Sequence, residues 1–244
     1  MFKQRFLIAI ALMAIVIASC FNLSKITDSE EAERDFEAEQ DISLNPVGLD
    51  DEIKNFFLEA RLNILELREM NPDAVGWLNV DGTAIDYPVV QASNNSYYLL
   101  HAFTGEESRN GAIFLDAHLP NSILSRHNII HGHHTRDGSM FANLVLFKDE
   151  DFFRQNKIIT YENLYYATEW EIFSVYLMAD DEEIPVSFAS DDDFIEYANQ
   201  VAKRSLFPVA IDFTANDILL TLNTCSYEFE GAHTMISARL IGVE

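Results

Sequence analysis

Short runs of alternating apolar and polar residues fill the chain from Val75 onward, and this pattern predicts a mainly β fold. Residues 77–80 and 84–90 flank Asp81-Gly82, which is typical of a β-hairpin. Further runs have the length and alternation of strands at 111–115, 128–130, 158–161, 170–178, 218–225 and 233–241. Many short strands with few helices favour a β-barrel or a β-sandwich.

Two segments have helical spacing instead. Apolar residues recur near helical spacing over 49–70, and Asn71-Pro72 ends that pattern. The second segment, 191–204, has Ser190 at its expected N-cap, acidic residues in its first turn and basic residues in its last. We therefore expect a helix before the strands and one amphipathic helix between the late strands.

The N-terminal segment predicts export. Lys3 and Arg5 precede the almost wholly apolar residues 6–21, and acidic residues follow, which places the rest of the protein outside the cytoplasm. The stretch is short for a spanning helix, which needs about 20 residues, so an uncleaved anchor and a cleaved signal peptide are both open. We favour an anchor over 1–23 in the cytoplasmic membrane. The residues before Cys20 also resemble a lipoprotein processing box, which would instead put a lipid on Cys20.

Composition adds an acidic linker and narrows the set of partners. Residues 24–48 carry many acidic side chains and few large apolar ones, which predicts an extended linker before a domain over 49–244. The whole chain has 40 acidic and 16 basic residues and a net charge of −24. Such acidity argues against nucleic acid and anionic lipid surfaces as partners.

Cys225 is the only cysteine outside the N-terminal apolar segment. An exported domain with one cysteine cannot form an internal disulfide, so the sequence predicts a free thiol. A lone cysteine is by itself more often a small core residue than a nucleophile, and other residues must decide between these roles.

A cluster of histidines offers two kinds of chemistry. Four of the seven histidines fall within eight residues, at His127, His131, His133 and His134. The pattern faintly resembles that of binuclear metallohydrolases, but Thr135 and Arg136 stand where Asp and His are needed, and an arginine would repel a metal ion. A metal-dependent hydrolase is therefore the weaker hypothesis, and a histidine that serves the Cys225 thiol is the stronger one.

Motifs in order along the chain resemble those of class B sortases. Asn128-Ile129-Ile130-His131-Gly132-His133-His134 is similar to the family's catalytic-histidine segment, and Thr221-Leu222-Asn223-Thr224-Cys225 to its nucleophile strand. Other matching segments are 87–91, 95–99, 111–116 and 137–141. The resemblance runs from about Gly76 to the end. It implies an eight-stranded sortase-type β-barrel with an N-terminal helical appendage.

The resemblance also implies an activity and a site. Family members are anchored transpeptidases of Gram-positive cell surfaces, which cut a C-terminal sorting signal and join the new end to a cell-wall amine of a peptidoglycan precursor. Carried over by position, Cys225 is the nucleophile, His133 is the general acid, and Thr224 adds a hydroxyl or backbone contact to the substrate. No cofactor or metal is implied. We predict that His131, where the family usually has an aromatic residue, and His134 are solvated loop residues.

The family's third catalytic residue is an arginine at the start of the last strand, and this chain departs from it. Pairing 218–225 with 233–241 so that Cys225 faces His233 gives one apolar face and one polar face. That register puts His233 at the arginine position and Arg239 six residues further, roughly 20 Å away. Either His233 supplies the missing oxyanion donor, or a loop arginine does, or the enzyme is impaired.

Two functions from different classes follow. In the first, the Cys225 thiolate attacks the scissile carbonyl, the His133 imidazolium protonates the leaving amide nitrogen, and an amine releases the thioacyl enzyme. In the second, a degenerate sortase binds sorting-signal peptides with little turnover, because His233 has replaced the arginine.

Overall fold

The alternating segments form eight strands that close into a barrel in the computed structural model, which describes residues 64–120 and 124–243. The strands are β1 Ala74–Val80, β2 Asp86–Val90, β3 Ile113–Leu115, β4 His127–His131, β5 Ile158–Glu162, β6 Ala167–Ala179, β7 Leu219–Cys225 and β8 Ala232–Val243. Their order around the barrel is β1-β2-β3-β4-β7-β8-β6-β5. The mainly β, eight-stranded barrel expected from the sequence is confirmed.

Alternation within the strands separates the barrel interior from its outside. In β1 every second residue is buried, and Leu78 and Val80 belong to the main core. Gly76 is also on this face, where an added Cβ would lie 2.4 Å from the ring of Tyr161, so only glycine allows this approach. Tyr161 is completely buried in the same core.

The register of β7 and β8 is the one predicted from the sequence. Cys225 pairs with His233, and Leu222 pairs with Ile236. Leu222 and Ile236 are fully buried in the barrel interior, whereas Met235, one residue away, packs in a second core on the outside of the sheet. Period-two alternation thus fixes which side chains of this ladder reach the surface beside Cys225.

The helix Asp191–Arg204 covers the second core, with the bounds and the cap expected from the sequence. The Ser190 hydroxyl accepts a hydrogen bond from the backbone N–H of Asp193. Phe194 and Val201 are buried against the outer face of the sheet together with Met235. The helix holds this side of the β7–β8 ladder away from water.

Two segments between β4 and β5 were not predicted, so the expectation of a single helix among the strands is wrong. Ala142–Lys148 is a 3-10 helix, and Glu150–Gln155 is a short α-helix that Asp149 caps through the N–H of Phe152. Six residues are too few for helical periodicity to stand out. Phe147 and Phe153, both fully buried in the main core, anchor these segments to the barrel.

The N-terminal predictions fall largely outside the described residues. These are the anchor over 1–23, the linker over 24–48 and the first part of the helix over 49–70. Residues 64–70 are helical, and the helix ends before Asn71, as expected. Within the described ranges, every helix is too short or too polar to cross a membrane.

Candidate active site

Cys225 is the last residue of β7 and carries an exposed, free thiol, as the sequence predicted. Surrounding protein atoms nevertheless displace water from the sulfur, and this desolvation raises the thiol pKa above its usual value. The thiol is therefore neutral near pH 7 unless a neighbouring group takes its proton. A base or a cation beside Cys225 is a chemical requirement for attack.

The parallel pairing of β4 and β7 brings the segment that carries His133 to the end of the strand that carries Cys225. His131 of β4 is paired with Asn223 of β7. His133 lies two positions after His131, and Cys225 lies two positions after Asn223. The N–H of Gly132 continues the ladder by donating to the carbonyl of Asn223 at 3.1 Å. Neighbouring strands lie about 4.8 Å apart, so the ends of these two parallel strands lie side by side at the same end of the barrel.

The ring of His133 is oriented by a backbone carbonyl. Its Nε2 lies 2.7 Å from the oxygen of Leu99, which can only accept, so Nε2 carries a proton. The second nitrogen, Nδ1, is then the one available to exchange a proton with a substrate. His133 is partly exposed, as a group that meets a peptide must be.

His134 lies in the loop after β4 and is partly exposed, as predicted, and it also contacts the backbone of the nucleophile. Its Nδ1 donates to the carbonyl oxygen of Cys225 at 3.2 Å. Its ring also packs against Tyr227, with the ring centroids 5.0 Å apart. These contacts tie the loop after β4 to the end of β7.

His131, by contrast, is a strand residue with fixed partners, so the prediction that it is a solvated loop residue is wrong. Its Nε2 lies 2.9 Å from Oδ2 of Asp116, and its Nδ1 lies 3.1 Å from Nδ2 of Asn223. Burial disfavours the charged form of Asp116, but hydrogen bonds from His131 and from the backbone and ring of His118 outweigh it and hold the carboxyl pKa well below its usual range. Asp116 is therefore an ionised carboxylate at neutral pH.

His233 lies directly opposite Cys225 on β8. The N–H of Ser226 donates to the carbonyl of Ala232, so the adjacent Cys225–His233 pair is of the non-hydrogen-bonded kind, in which side chains approach most closely. The Nδ1 of His233 lies 2.8 Å from Oδ1 of Asn223. Burial lowers the pKa of His233, Asp180 partly opposes this, and His131 adds to it.

Arg239 is at the far end of the same ladder, where it pairs with Leu219. Its nearest carboxylates are those of Glu171 and Asp217, each at 3.9 Å. The predicted separation of Arg239 from the thiol is thus confirmed by the register. Arg136, in the loop after His134, is exposed, and its role as a substitute donor stays a hypothesis.

The side chain of Thr224 points into the barrel rather than toward the site. Only 2% of this residue is exposed, and its buried Oγ1 has no hydrogen-bond partner among the described residues. A hydroxyl contact to the substrate is not available from this position, because the side chain faces Thr234 inside the barrel. A backbone contact to the substrate stays a prediction.

The four clustered histidines each have different partners. His127 is fully buried, with Nδ1 2.6 Å from the carbonyl of Pro185 and Nε2 2.8 Å from the hydroxyl of Thr221, and burial lowers its pKa to about 4. Within the part of the chain that the structure describes, no three His, Cys, Asp or Glu side chains converge as metal ligands would.

A cleft of about 510 Å³ opens on the side of the site that holds His233 and Asn223. Asp180 and Glu183 lie on its polar part, and Ile184 on its apolar part. Sequence reasoning missed Asn223 and Asp116 as members of the site. The signal for Asn223 was its place on the same strand face as Cys225, two residues before it, whereas the contact of Asp116 depends on the β3–β4 pairing.

Comparison with known proteins gives a consistent result. A family model of the sortase domain matches residues 78–242. Sortase B of Listeria monocytogenes is 36% identical over 186 residues, which cover 75% of this chain and 76% of the relative. The X-ray structure of Clostridium perfringens sortase B is 37% identical, with a TM-score of 0.69, and the match covers 73% of this chain and 99% of that one. The Staphylococcus aureus sortase B–substrate complex is 28% identical, with a TM-score of 0.70 and coverage of 80% and 95%.

Proposed function

Because the chain belongs to the sortase family, among the class B sortases, we propose that it is a cysteine transpeptidase of the cell surface. Its substrate is the C-terminal sorting signal of secreted proteins. The enzyme cleaves this signal and joins the new end to a cell-wall amine. The observation that carries the proposal is the parallel pairing of β4 with β7. It brings the strand end with the exposed thiol of Cys225 and the segment with the oriented ring of His133 to the same end of the barrel.

The chemistry proceeds through a thioacyl enzyme. The Cys225 thiolate, formed when a neighbouring base takes the S–H proton, attacks the scissile carbonyl carbon, and Nδ1 of a protonated His133 gives its proton to the leaving amide nitrogen. The carbonyl of Leu99 holds the ring by its other nitrogen throughout. An amine then attacks the thioester, returns a proton to His133 and releases Cys225.

The partners follow from the family. The Staphylococcus aureus relative was solved as a substrate complex, which supports a peptide substrate for this chain. The acceptor is an amine of a peptidoglycan precursor or of the cell wall. Residues 1–23 anchor the protein in the cytoplasmic membrane, or a lipid on Cys20 does so, and the catalytic domain over 49–244 lies outside.

The test is a search for the covalent intermediate. The full chain is incubated with a library of sorting-signal peptides, and mass spectrometry follows the mass of the peptide that carries Cys225. We expect an acyl adduct that is absent from the Cys225→Ala variant and that an added amine removes. Absence of any adduct, with the peptides still intact, would contradict the proposal.

A degenerate sortase that only binds sorting signals is the second candidate. One observation favours it: a histidine with a lowered pKa, and not an arginine, lies opposite the nucleophile. A binding module would retain a peptide from the library without cleaving it, and Cys225→Ala would bind as well as the wild type. Turnover of any peptide excludes this candidate.

A further inference from the structure

A continuous chain of side-chain hydrogen bonds connects Asp116 to His233 across four neighbouring strands. Asp116 Oδ2 lies 2.9 Å from Nε2 of His131, His131 Nδ1 lies 3.1 Å from Nδ2 of Asn223, and Asn223 Oδ1 lies 2.8 Å from Nδ1 of His233. Asp116 directly follows β3, and the other three residues belong to β4, β7 and β8. The chain ends at the residue that faces Cys225.

The chemistry of the first member fixes the protons of all the others. Asp116 is an ionised carboxylate and only accepts, so Nε2 of His131 must carry a proton. The amide nitrogen of Asn223 only donates, so Nδ1 of His131 must accept. The remaining amide oxygen of Asn223 only accepts, and Nδ1 of His233 must therefore donate.

This order of donors has a consequence for the role of His233. A neutral His233 with its proton on Nδ1 presents a lone pair at Nε2, so it cannot donate a hydrogen bond to an oxyanion from that nitrogen. Burial keeps the ring neutral at pH 7, since it lowers the pKa of His233. The lone pair makes the ring a base, and the residue opposite it carries a thiol.

We propose that Cys225, His233 and Asn223 form a Cys-His-Asn triad, in which His233 is the base and Asn223 the positioning residue that holds its tautomer. The same three residue types act together in papain-like proteases, on an unrelated fold. The proposal rests on the proposed transpeptidase function and assigns its first proton transfer. Asp116 and His131 are positioning residues as well, because they set the orientation of the Asn223 amide.

The proton balance of the reaction is complete with these groups. His233 Nε2 takes the proton of the Cys225 S–H bond, the sulfur bonds to the scissile carbonyl carbon, and the protonated His133 gives its proton to the leaving nitrogen as the C–N bond breaks. In the second half the acceptor amine bonds to the carbonyl carbon and loses a proton to His133. The departing sulfur regains its own proton from His233.

The charged surroundings of His233 come from several elements. Cys225 faces it from β7, Asp180 follows β6, and His131 lies beyond Asn223 on β4. The other titratable groups around the adjoining cleft are Asp116, His118, Glu182 and Glu183. Acid pH protonates His233 and removes the base, so thiolate formation that depends on His233 is lost as pH falls.

The first test is the rate at which a methanethiosulfonate reagent modifies Cys225 in the full chain between pH 5 and pH 10. If His233 is the base, we expect His233→Ala to slow modification at pH 7 by at least about tenfold. The variant should match the wild type only at the alkaline pH at which the thiol ionises without a base. Arg239→Gln, a change on the same strand face six residues away, should follow the wild-type profile. Equal rates for His233→Ala and the wild type at pH 7 would overturn the triad.

A pair of substitutions at Asn223 separates positioning from packing. In Asn223→Asp the carboxylate still accepts from Nδ1 of His233, so modification at pH 7 should persist and its acid inflection should move to higher pH. In Asn223→Leu the acceptor is lost, and the rate should fall toward that of His233→Ala. If both variants unfold at the wild-type temperature and react alike, Asn223 does not hold the tautomer.

The tautomer itself is read by nitrogen NMR of the full chain in detergent with labelled histidine. We expect His233 protonated on Nδ1 and His131 on Nε2, with His233→Ala assigning the signal. A proton on Nε2 of His233 would overturn the triad and favour an oxyanion donor. The two proposals fail separately. If thiol reactivity depends on His233 but no acyl adduct forms, the transpeptidase function is refuted. If the adduct forms equally in His233→Ala, the triad is refuted.

Discussion

At the scale of single residues, the site depends on which way each side chain of β7 points. Thr224 is buried in the barrel, while its neighbours Asn223 and Cys225 face the cleft side and the surface. The sequence predicted this division, because period-two alternation and an apolar partner face fix the register. It did not predict the partners of His131, because Asp116 reaches that ring only through the pairing of β3 with β4.

Two adjacent histidines should differ in their effect on turnover. His133→Ala removes the proton donor and should abolish peptide cleavage, with little change in thermal stability. His134→Ala removes one hydrogen bond to the Cys225 carbonyl, worth about 1 kcal/mol, and should keep most of the activity. The measurement is kcat/KM with a cleaved sorting-signal peptide. Equal losses in both variants, reversed by zinc, would favour a metal site instead.

Replacing His233 by arginine should change the pH range rather than remove activity. A guanidinium opposite Cys225 stabilises the thiolate by a permanent charge, so His233→Arg should retain turnover at acid pH where the wild type loses its neutral base. Arg239→Ala should leave the profile unchanged, since that residue pairs with Leu219 at the other end of β8. An inactive Arg239→Ala with a normal His233→Ala would show that the functional arginine had been misassigned.

At the scale of elements, long periodic segments were predictable and short ones were not. The helix Asp191–Arg204 was predicted with its observed bounds because fourteen residues show both periodicity and a cap. The 3-10 helix Ala142–Lys148 and the helix Glu150–Gln155 were not predicted, since segments of seven and six residues are too short to show helical periodicity. The alternation of residues predicted that the strands exist. Where a strand such as β6 begins and ends depends on its pairing with the neighbouring strands.

The cap of the longer helix should be measurable as stability. Ser190→Ala removes the acceptor of the Asp193 N–H, and we expect the free energy of unfolding to fall by about 1 kcal/mol. Urea denaturation of the full chain is the measurement. Gln200→Ala, an exposed site in the same helix, should change stability by no more than about 0.5 kcal/mol. A neutral Ser190→Ala would show that the hydroxyl does not cap this helix.

At the scale of the whole molecule, one buried histidine couples folding to pH. His127 is fully buried, and its pKa is lowered to about 4 from a usual 6.5. Between these values the unfolded chain binds a proton that the folded protein does not, so stability falls as pH falls from about 6.5 towards 4. At pH 5 the loss relative to pH 7 is about 2 kcal/mol from this group.

The matching experiment compares unfolding at several pH values. His127→Gln removes the titrating ring, so its free energy of unfolding should decline less than that of the wild type between pH 7 and pH 5. His101→Gln, at a partly exposed histidine away from the core, serves as the control and should decline as the wild type does. Identical declines in wild type and His127→Gln would exclude His127 as the source.

The parallel pairing of β4 with β7 also determines when the chemistry comes into existence. His134 and Cys225 are in hydrogen-bond contact although 91 residues separate them along the chain. Loop-closure entropy disfavours contacts of such long sequence separation in the unfolded chain, and they slow folding. In an unfolded chain the thiol of Cys225 has none of these partners, and its surroundings exist only once β4 and β7 have paired.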